Sequence, residues 1–395
     1  MRGHTVCIAS PGKRQKKPMK YIFQLGNHPN LSRAEIEHVF LTLGLMISDL
    51  TIKKTYALVT TDSTLDIETI MNRLGGTLAI AEAVAKVEDT VQTVADYLDA
   101  HVTDKIFFSL HADNAKKLGI EVKKELKSRG RSVRYIEAGN TATILHNNLI
   151  KRKGDLILID GTLFVTRAIQ PIEAFGERDF GRPSRDSKSG MLPPKLAQIM
   201  INLSGAGDND VLLDPFCGSG TILMEASLMG FKHIIGADLS EQAISDTRKN
   251  IDWLANTNTQ SAIRNPGNIA LHTKDVRHLT EKSIKTKVNA IVTEPFMGKP
   301  IKGTEPRHEI EMQARDLASL YTASFETFKK IIVPGGSIVF IIPQFMIKDE
   351  WITVNCLNSI TNLGFTQTEL LPGKKSLLYH RKNQHVGRMI YRFEA

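Results

Sequence analysis

The sequence predicts an α/β protein: a doubly wound, mostly parallel sheet in the C-terminal half, preceded by an α+β region. Three observations carry this. Val211-Leu-Leu-Asp-Pro-Phe-Cys-Gly-Ser-Gly-Thr-Ile-Leu-Met-Glu-Ala226 runs from a short apolar stretch through a proline and two glycines into a run of helical character. It reads as a buried strand, a tight loop and a helix start. From Val211 onward strand and helix patterns alternate, the mark of a parallel sheet with helical crossovers. The front of the chain instead follows a β-α-β-β-α order over a short span, which suggests a small ferredoxin-like domain. At 395 residues the chain is long enough for two or three domains.

Composition narrows the class. Hydrophobic residues make up 42% and charged residues 24%, ordinary values for a globular chain. No apolar run approaches the ~20 residues of a membrane span. Val6-Cys-Ile-Ala is too short for the apolar core of a signal peptide, about 7–15 residues, so a cytoplasmic protein is expected. Cys7, Cys217 and Cys356 are odd in number and far apart, with no CxxC, which argues against a disulfide framework and against a zinc site. Of the net charge of +9, six units come from residues 1–20, where Arg2, Lys13, Arg14, Lys16, Lys17 and Lys20 meet no acid. Residues 1–19 therefore read as a basic tail, solvated or RNA-contacting, with Met19 as an alternative start. Bulk charge is weak evidence for nucleic acid, and its distribution has to carry the case.

Residues 20–100 are expected to form the first domain. Tyr21–Leu25 reads as a strand, and Ser32-Arg-Ala-Glu35 as the capping box of a helix continued by Ile36, Val39, Phe40 and Leu43. A strand at 56–60, a short helix near 67–74, a strand near 78–87 and a helix near 91–98 follow. Residues 101–172 form the next unit: a strand at 106–110, a lysine-rich amphipathic helix over 112–128 and a strand at 133–136. A helix over 141–149 is expected to close on Lys151-Arg-Lys-Gly154 as its basic last turn and glycine cap. A hairpin around Gly161 completes the unit. Eleven lysines and arginines lie between 116 and 153, which reads either as a phosphate-contacting surface or as a solvated helix face. Residues 173–192, with Gly181, Pro183 and Gly190, read as an inter-domain linker. The final domain, 193–395, has further strands at 234–238, 269–273, 288–293 and 336–342. A terminal hairpin, 377–380 with 388–393, closes the sheet.

Asp214-Pro-Phe-Cys-Gly-Ser-Gly-Thr221 resembles the cofactor loop of amino-group S-adenosylmethionine methyltransferases. Its glycines let backbone approach a ligand closely. Leu223 stands where a dinucleotide fingerprint has its third glycine, and Asp214 would repel a pyrophosphate, so a cationic, phosphate-free ligand fits better. The run from Ile172 to Ala197 resembles the junction of THUMP-domain tRNA guanine-N2 methyltransferases, and the resemblance covers most of the chain from about Tyr21. It implies a ferredoxin-like domain and a THUMP-like RNA-binding domain, then a Rossmann-like class I methyltransferase domain. It also implies S-adenosylmethionine as cofactor and RNA, above all tRNA, as partner. The oligomeric state is open, with a monomer favoured.

The resemblance assigns Asp214, Phe216, Gly218 and Gly220 to the cofactor loop. Asp238 lies about two dozen residues further on, at a strand end where a carboxylate can accept ribose hydroxyls; a helix N-cap is the other reading. Asp275 is placed to accept the adenine amino group, or simply to form a turn. Cys217 reads as a small loop residue rather than a nucleophile. At Thr293-Glu-Pro-Phe-Met-Gly298, amino methyltransferases carry Asp/Asn-Pro-Pro-Tyr/Phe. There an acidic or amide side chain and a proline carbonyl accept the two N–H bonds of the target amine, and the aromatic ring stacks on the base. That makes Glu294, Pro295 and Phe296 the catalytic candidates. Without gaps, Phe296 takes the second proline place and Met297 the aromatic one; with one residue deleted, Phe296 is the stacking ring. The reading is methyl transfer to an exocyclic base amine, guanine N2 in tRNA. The alternatives are an amine in DNA, or an RNA-binding protein with a vestigial methyltransferase fold.

Overall fold

The computed structural model describes residues 18–53, 55–185, 191–256, 267–382 and 384–395, so most of the basic tail lies outside the described residues. The first sheet is built from β1 (Met19–Leu25), β2 (Ile47–Ile52), β3 (Tyr56–Thr61), β4 (Thr77–Lys86), β5 (Ile106–His111), β6 (Val133–Tyr135), β7 (Asp155–Ile159) and β8 (Thr162–Ile169). Between them run α1 (Pro29–Thr42), α2 (Ile67–Arg73), α3 (Thr90–His101), α4 (Ala115–Ser128) and α5 (Thr141–His146). Alternation along β1 sorts its side chains: Tyr21, Phe23 and Leu25 pack with Ile36, Val39 and Phe40 of α1, while Ile22 turns to the other face. β2-β3-β1-β4 with α1 and α2 is the ferredoxin-like arrangement. β2 escaped the sequence reading because it is a half-exposed strand at the end of the sheet, without a buried face.

Three local expectations are corrected. Pro29 opens α1 a turn earlier than expected, so Ser32 and Glu35 lie inside the helix and form no capping box. They clamp a neighbouring turn instead: Ser32 Oγ donates to the Gly76 carbonyl at 2.7 Å, and the Glu35 carboxylate accepts the Gly75 and Gly76 amides, each at 2.8 Å. α5 stops at His146, and Gly154 is no helix cap; it lies against the Phe107 carbonyl, where a Cβ would sit 2.0 Å from the oxygen. The two expected front units share one eight-stranded sheet, ordered β2-β3-β1-β4-β8-β7-β5-β6, because β4 and β8 pair antiparallel.

α6 (Ile172–Gly176) and a π-helical turn (Glu177–Gly181) leave the first sheet. This stretch was expected as linker, yet over 173–185 it docks on the next domain. Arg178 grips the buried Glu225 with two bonds of 2.6 and 3.1 Å, and Arg182 donates to Thr221 Oγ1 at 2.7 Å. α7 (Pro194–Ser204) then packs against α1, with Leu31 and Ala34 joining the apolar cluster of Leu196 and Met200.

The second sheet comprises β9 (Val211–Asp214), β10 (His233–Asp238), β11 (Asn268–Thr273), β12 (Val288–Thr293), β13 (Ile332–Ile347), β14 (Glu350–Thr353), β15 (Thr366–Thr368), β16 (Ser376–Tyr379) and β17 (Val386–Glu394). Its helices are α8 (Thr221–Leu228), α9 (Glu241–Asn256), α10 (Glu281–Ile284), α11 (Arg307–Ile331) and α12 (Leu357–Asn362). The order β11-β10-β9-β12-β13 is parallel throughout. β17 inserts antiparallel between β13 and β15 and also carries β16, and β14 folds back on β13, so two strands run against β13. Tyr321, Phe325 and Phe328 of α11 fill one face of the sheet, and α7 with α8 covers the other. Among the described residues no helix is long and apolar enough to cross a membrane.

Candidate active site

β11, β10, β9 and β12 lie side by side and point the same way, so their carboxyl ends form one row. Asp214 ends β9 and Asp238 ends β10, Glu294 follows β12 directly, and Asp275 stands two residues past β11. The chain order reverses between β9 and β12, the switch point at which open α/β sheets bind ligands. A cavity of about 780 Å³ opens there, lined by Asp214, Phe216, Gly218, Asp238, Asp275, Glu294, Pro295 and Phe296 among others. The sequence candidates thus converge, with one exception. Gly220 faces Thr247 of α9, whose methyl would lie 2.8 Å from an added Cβ, and it does not line the cavity. Its φ of +85° turns the loop into α8.

The loop is held from outside. Thr247 donates to the Gly218 carbonyl at 2.7 Å, and Asn250 Nδ2 donates to the carbonyls of Ser184 and Ser219, each at 2.9 Å. The Gly218 amide donates to Asp238 Oδ2 at 3.0 Å, and the Ser240 amide to Asp238 Oδ1 at 2.9 Å. Asp238 therefore ties two loops together, and each oxygen keeps a further lone pair for a hydroxyl. Asp214 is buried and accepts from Thr293 Oγ1 at 2.7 Å and from the Phe216 amide at 3.2 Å. Burial pushes its carboxyl up to about 7, with Asp238 and Glu294 adding to the rise. Asp275 takes the turn-forming reading: it accepts from the Arg277 amide and its carboxylate is bound by the Arg277 side chain, while it also lines the cavity. Burial pushes the Cys217 thiol well up, which fits an inert loop residue.

At the fourth strand end, the Phe296 ring is 56% exposed, and its carbonyl accepts from Tyr321 OH at 2.8 Å. Met297 packs against the apolar cluster under α7. Glu294 has a partner that sequence reasoning missed: Arg388 of β17 donates from Nε to Glu294 Oε1 at 2.5 Å. Nothing in the sequence links residues 94 positions apart; only the insertion of β17 beside β13 brings them together.

The fit to S-adenosylmethionine can be judged from these residues. Nothing lies within 4 Å of where a Gly218 Cβ would be, so the loop leaves open space for a ligand that any side chain would invade. Asp214, Asp238, Asp246, Asp275 and Glu294 line the cavity against two arginines, Arg185 and Arg277, the latter paired with Asp275, and this acidic balance suits a sulfonium better than a phosphate.

This sheet and loop have the class I methyltransferase fold, and the cavity suits S-adenosylmethionine. Residues 182–353 match the UPF0020 family, described as an RMKL-like methyltransferase domain. The chain is similar to the tRNA (guanine(10)-N2)-dimethyltransferase of Methanothermobacter thermautotrophicus, at 32% identity over 48% of this chain and 50% of that protein. It is 28% identical to the protein of that name in Methanocaldococcus jannaschii, over 48% of each. The chain thus spans about half the length of the curated relatives it matches. The crystal structure of TrmN from Thermus thermophilus shares the fold, at 16% identity and a TM-score of 0.51, over 95% of this chain and 99% of that one.

Proposed function

We propose that this protein methylates the exocyclic N2 of guanine in tRNA, acting in the cytoplasm. The observation that carries the reading is the cavity itself, where a donor site built on Gly218 and Asp238 opens beside Glu294, Pro295 and the exposed Phe296 ring. The names of the archaeal relatives direct the reading to guanine 10.

Asp238 would hold the ribose hydroxyls, Asp275 the adenine end, and Asp214 with the glycine loop the methionine end of the donor. When bound, S-adenosylmethionine supplies a sulfonium methyl that the amine's lone pair takes as the S–CH₃ bond breaks and its electrons return to sulfur. The protein's share is placement. Glu294 and the Pro295 carbonyl accept the two N–H bonds, which turns the lone pair away from the base ring. Phe296 stacks on the base; its exposure, against the packed Met297, favours the alignment with one residue deleted. The proton released from nitrogen passes to the Glu294 carboxylate. The remaining catalysis is orientation and exclusion of water.

RNA binding falls to the first sheet, whose unit at 101–172 we read as THUMP-like. Arg129 and Arg131 are spent on Asp96, Asp99 and Glu125. A different group supports phosphate and base contact: Lys105 and Arg152 lie over the Phe107 ring at 5.4 and 4.5 Å, and Arg134 stands opposite Phe107 in β6. The test is incubation with unmodified tRNA transcripts and S-adenosylmethionine, followed by mass mapping of nucleosides. N2-methylated guanine is the expected product. Methyl transfer to another atom, or none, rejects the proposal.

A further inference from the structure

The Glu294–Arg388 pair has a feature that the amine-binding role alone does not need. Both side chains are 12% exposed, and the contact runs from Arg388 Nε to one oxygen only, Oε1 of Glu294. Glu294 stands next to Thr293, which is bonded to the buried Asp214, and Asp238 lies across the same cavity. A glutamate here has one more rotatable bond than the usual aspartate and shares its cavity with the Asp238 charge, so left alone it would swing away from it. Arg388 is itself held in place. It pairs with Pro343 of β13 and Tyr379 of β16, and the adjacent Gly387 packs against Trp351, where a Cβ would lie 3.0 Å from the ring.

We propose that Arg388 is a positioning residue for methyl transfer, binding Glu294 Oε1 so that Oε2 alone faces the target amine. The inference rests on the proposed function and deepens it. With Oε1 occupied, Oε2 accepts one N–H bond and then the released proton, and the Pro295 carbonyl accepts the other bond. Arg388 thereby makes up for the longer side chain in this motif. It touches neither donor nor base in this arrangement, so its effect must pass entirely through Glu294.

A double-mutant cycle on single-turnover transfer to unmodified tRNA tests this, with calorimetry of S-adenosylhomocysteine as a readout independent of activity. Arg388→Met should lower the rate at saturating substrate by roughly 10²-fold, as loss of a positioned polar group does. KM for tRNA and cofactor affinity should stay within about threefold, and Arg388→Lys should recover part of the rate. In a Glu294→Gln background Arg388→Met should cost little more, since coupled residues are non-additive. Wild type is measured first. If it transfers no methyl group, the proposed function fails and this inference with it. If wild type transfers but Arg388→Met keeps its rate, or the two substitutions multiply, only the role of Arg388 is overturned. Should Arg388→Met not fold, Glu294→Asp replaces it: the shorter carboxylate does not reach the arginine, so its rate should be insensitive to Arg388→Lys. Sensitivity there overturns the inference.

Discussion

Gly218 and Gly220 are one residue apart, yet they answer to different neighbours. A side chain at Gly218 would point into open cavity, whereas one at Gly220 would strike Thr247. Both have positive φ, so any substitution at either position costs about 1–2 kcal/mol in backbone strain. Gly218→Val should therefore abolish S-adenosylhomocysteine binding while lowering stability only by that amount. Gly220→Val should unfold the loop and destabilise clearly more. Calorimetry and urea denaturation of the two variants check this; equal stability losses with retained binding in Gly218→Val would contradict the geometry. Asp214, Phe216, Gly218, Asp238 and Glu294 were legible in the sequence because one local rule places them, at or just after the end of a strand. Thr247, Asn250 and Arg388 were not, because each reaches its partner across the fold from residues of ordinary surface character. Gly220 was half legible: the need for glycine was plain, but its contact with Thr247 of α9 was not.

Among the elements, the segment between the sheets departs most from its sequence pattern. Glycines and prolines marked it as linker. Instead the π-helical turn places Arg178 on Glu225, both buried, directly behind the cofactor loop. Arg178→Ala leaves a carboxylate inside the protein and should destabilise by about 3–5 kcal/mol. The double change Arg178→Met with Glu225→Leu should recover most of that loss, which denaturant midpoints can measure. If the single variant is as stable as wild type, the docked junction is wrong. The same kind of error produced the capping box at Ser32 and Glu35. Local spacing was read as local bonding, but Pro29 moved the helix start and freed both side chains to bind another turn. The long strands and helices with a buried face were read to within a few residues; half-exposed β2 and the short β14, β15 and α10 were missed.

At the scale of the whole molecule, Glu35 is the joint. It binds the Gly75 and Gly76 amides and also accepts from Asn202 of α7 at 2.8 Å, so one carboxylate links the first sheet to the methyltransferase domain. Burial pushes its carboxyl up from 4.5 to about 7. A carboxyl raised in the folded state binds more protons there than in the unfolded chain, so its ionisation destabilises as pH rises from about 4.5 to 7. Relative to Glu35→Gln, wild type should lose up to about 1.4 kcal/mol per pH unit across that window and nothing further above it. Unfolding free energies of both proteins measured from pH 4.5 to 8 check the sign; parallel curves would refute it. The position of β17 has a consequence of another kind, in the order of synthesis. β17 follows every other strand of its sheet along the chain, but its place is inside the sheet, between β13 and β15 and against β16. A nascent chain that has emerged as far as Tyr379 already carries the glycine loop, Asp238 and Glu294, but not Arg388. Until β17 slots in beside β13, Glu294 lacks its arginine, and the proposed site stays incomplete until the β16–β17 hairpin closes.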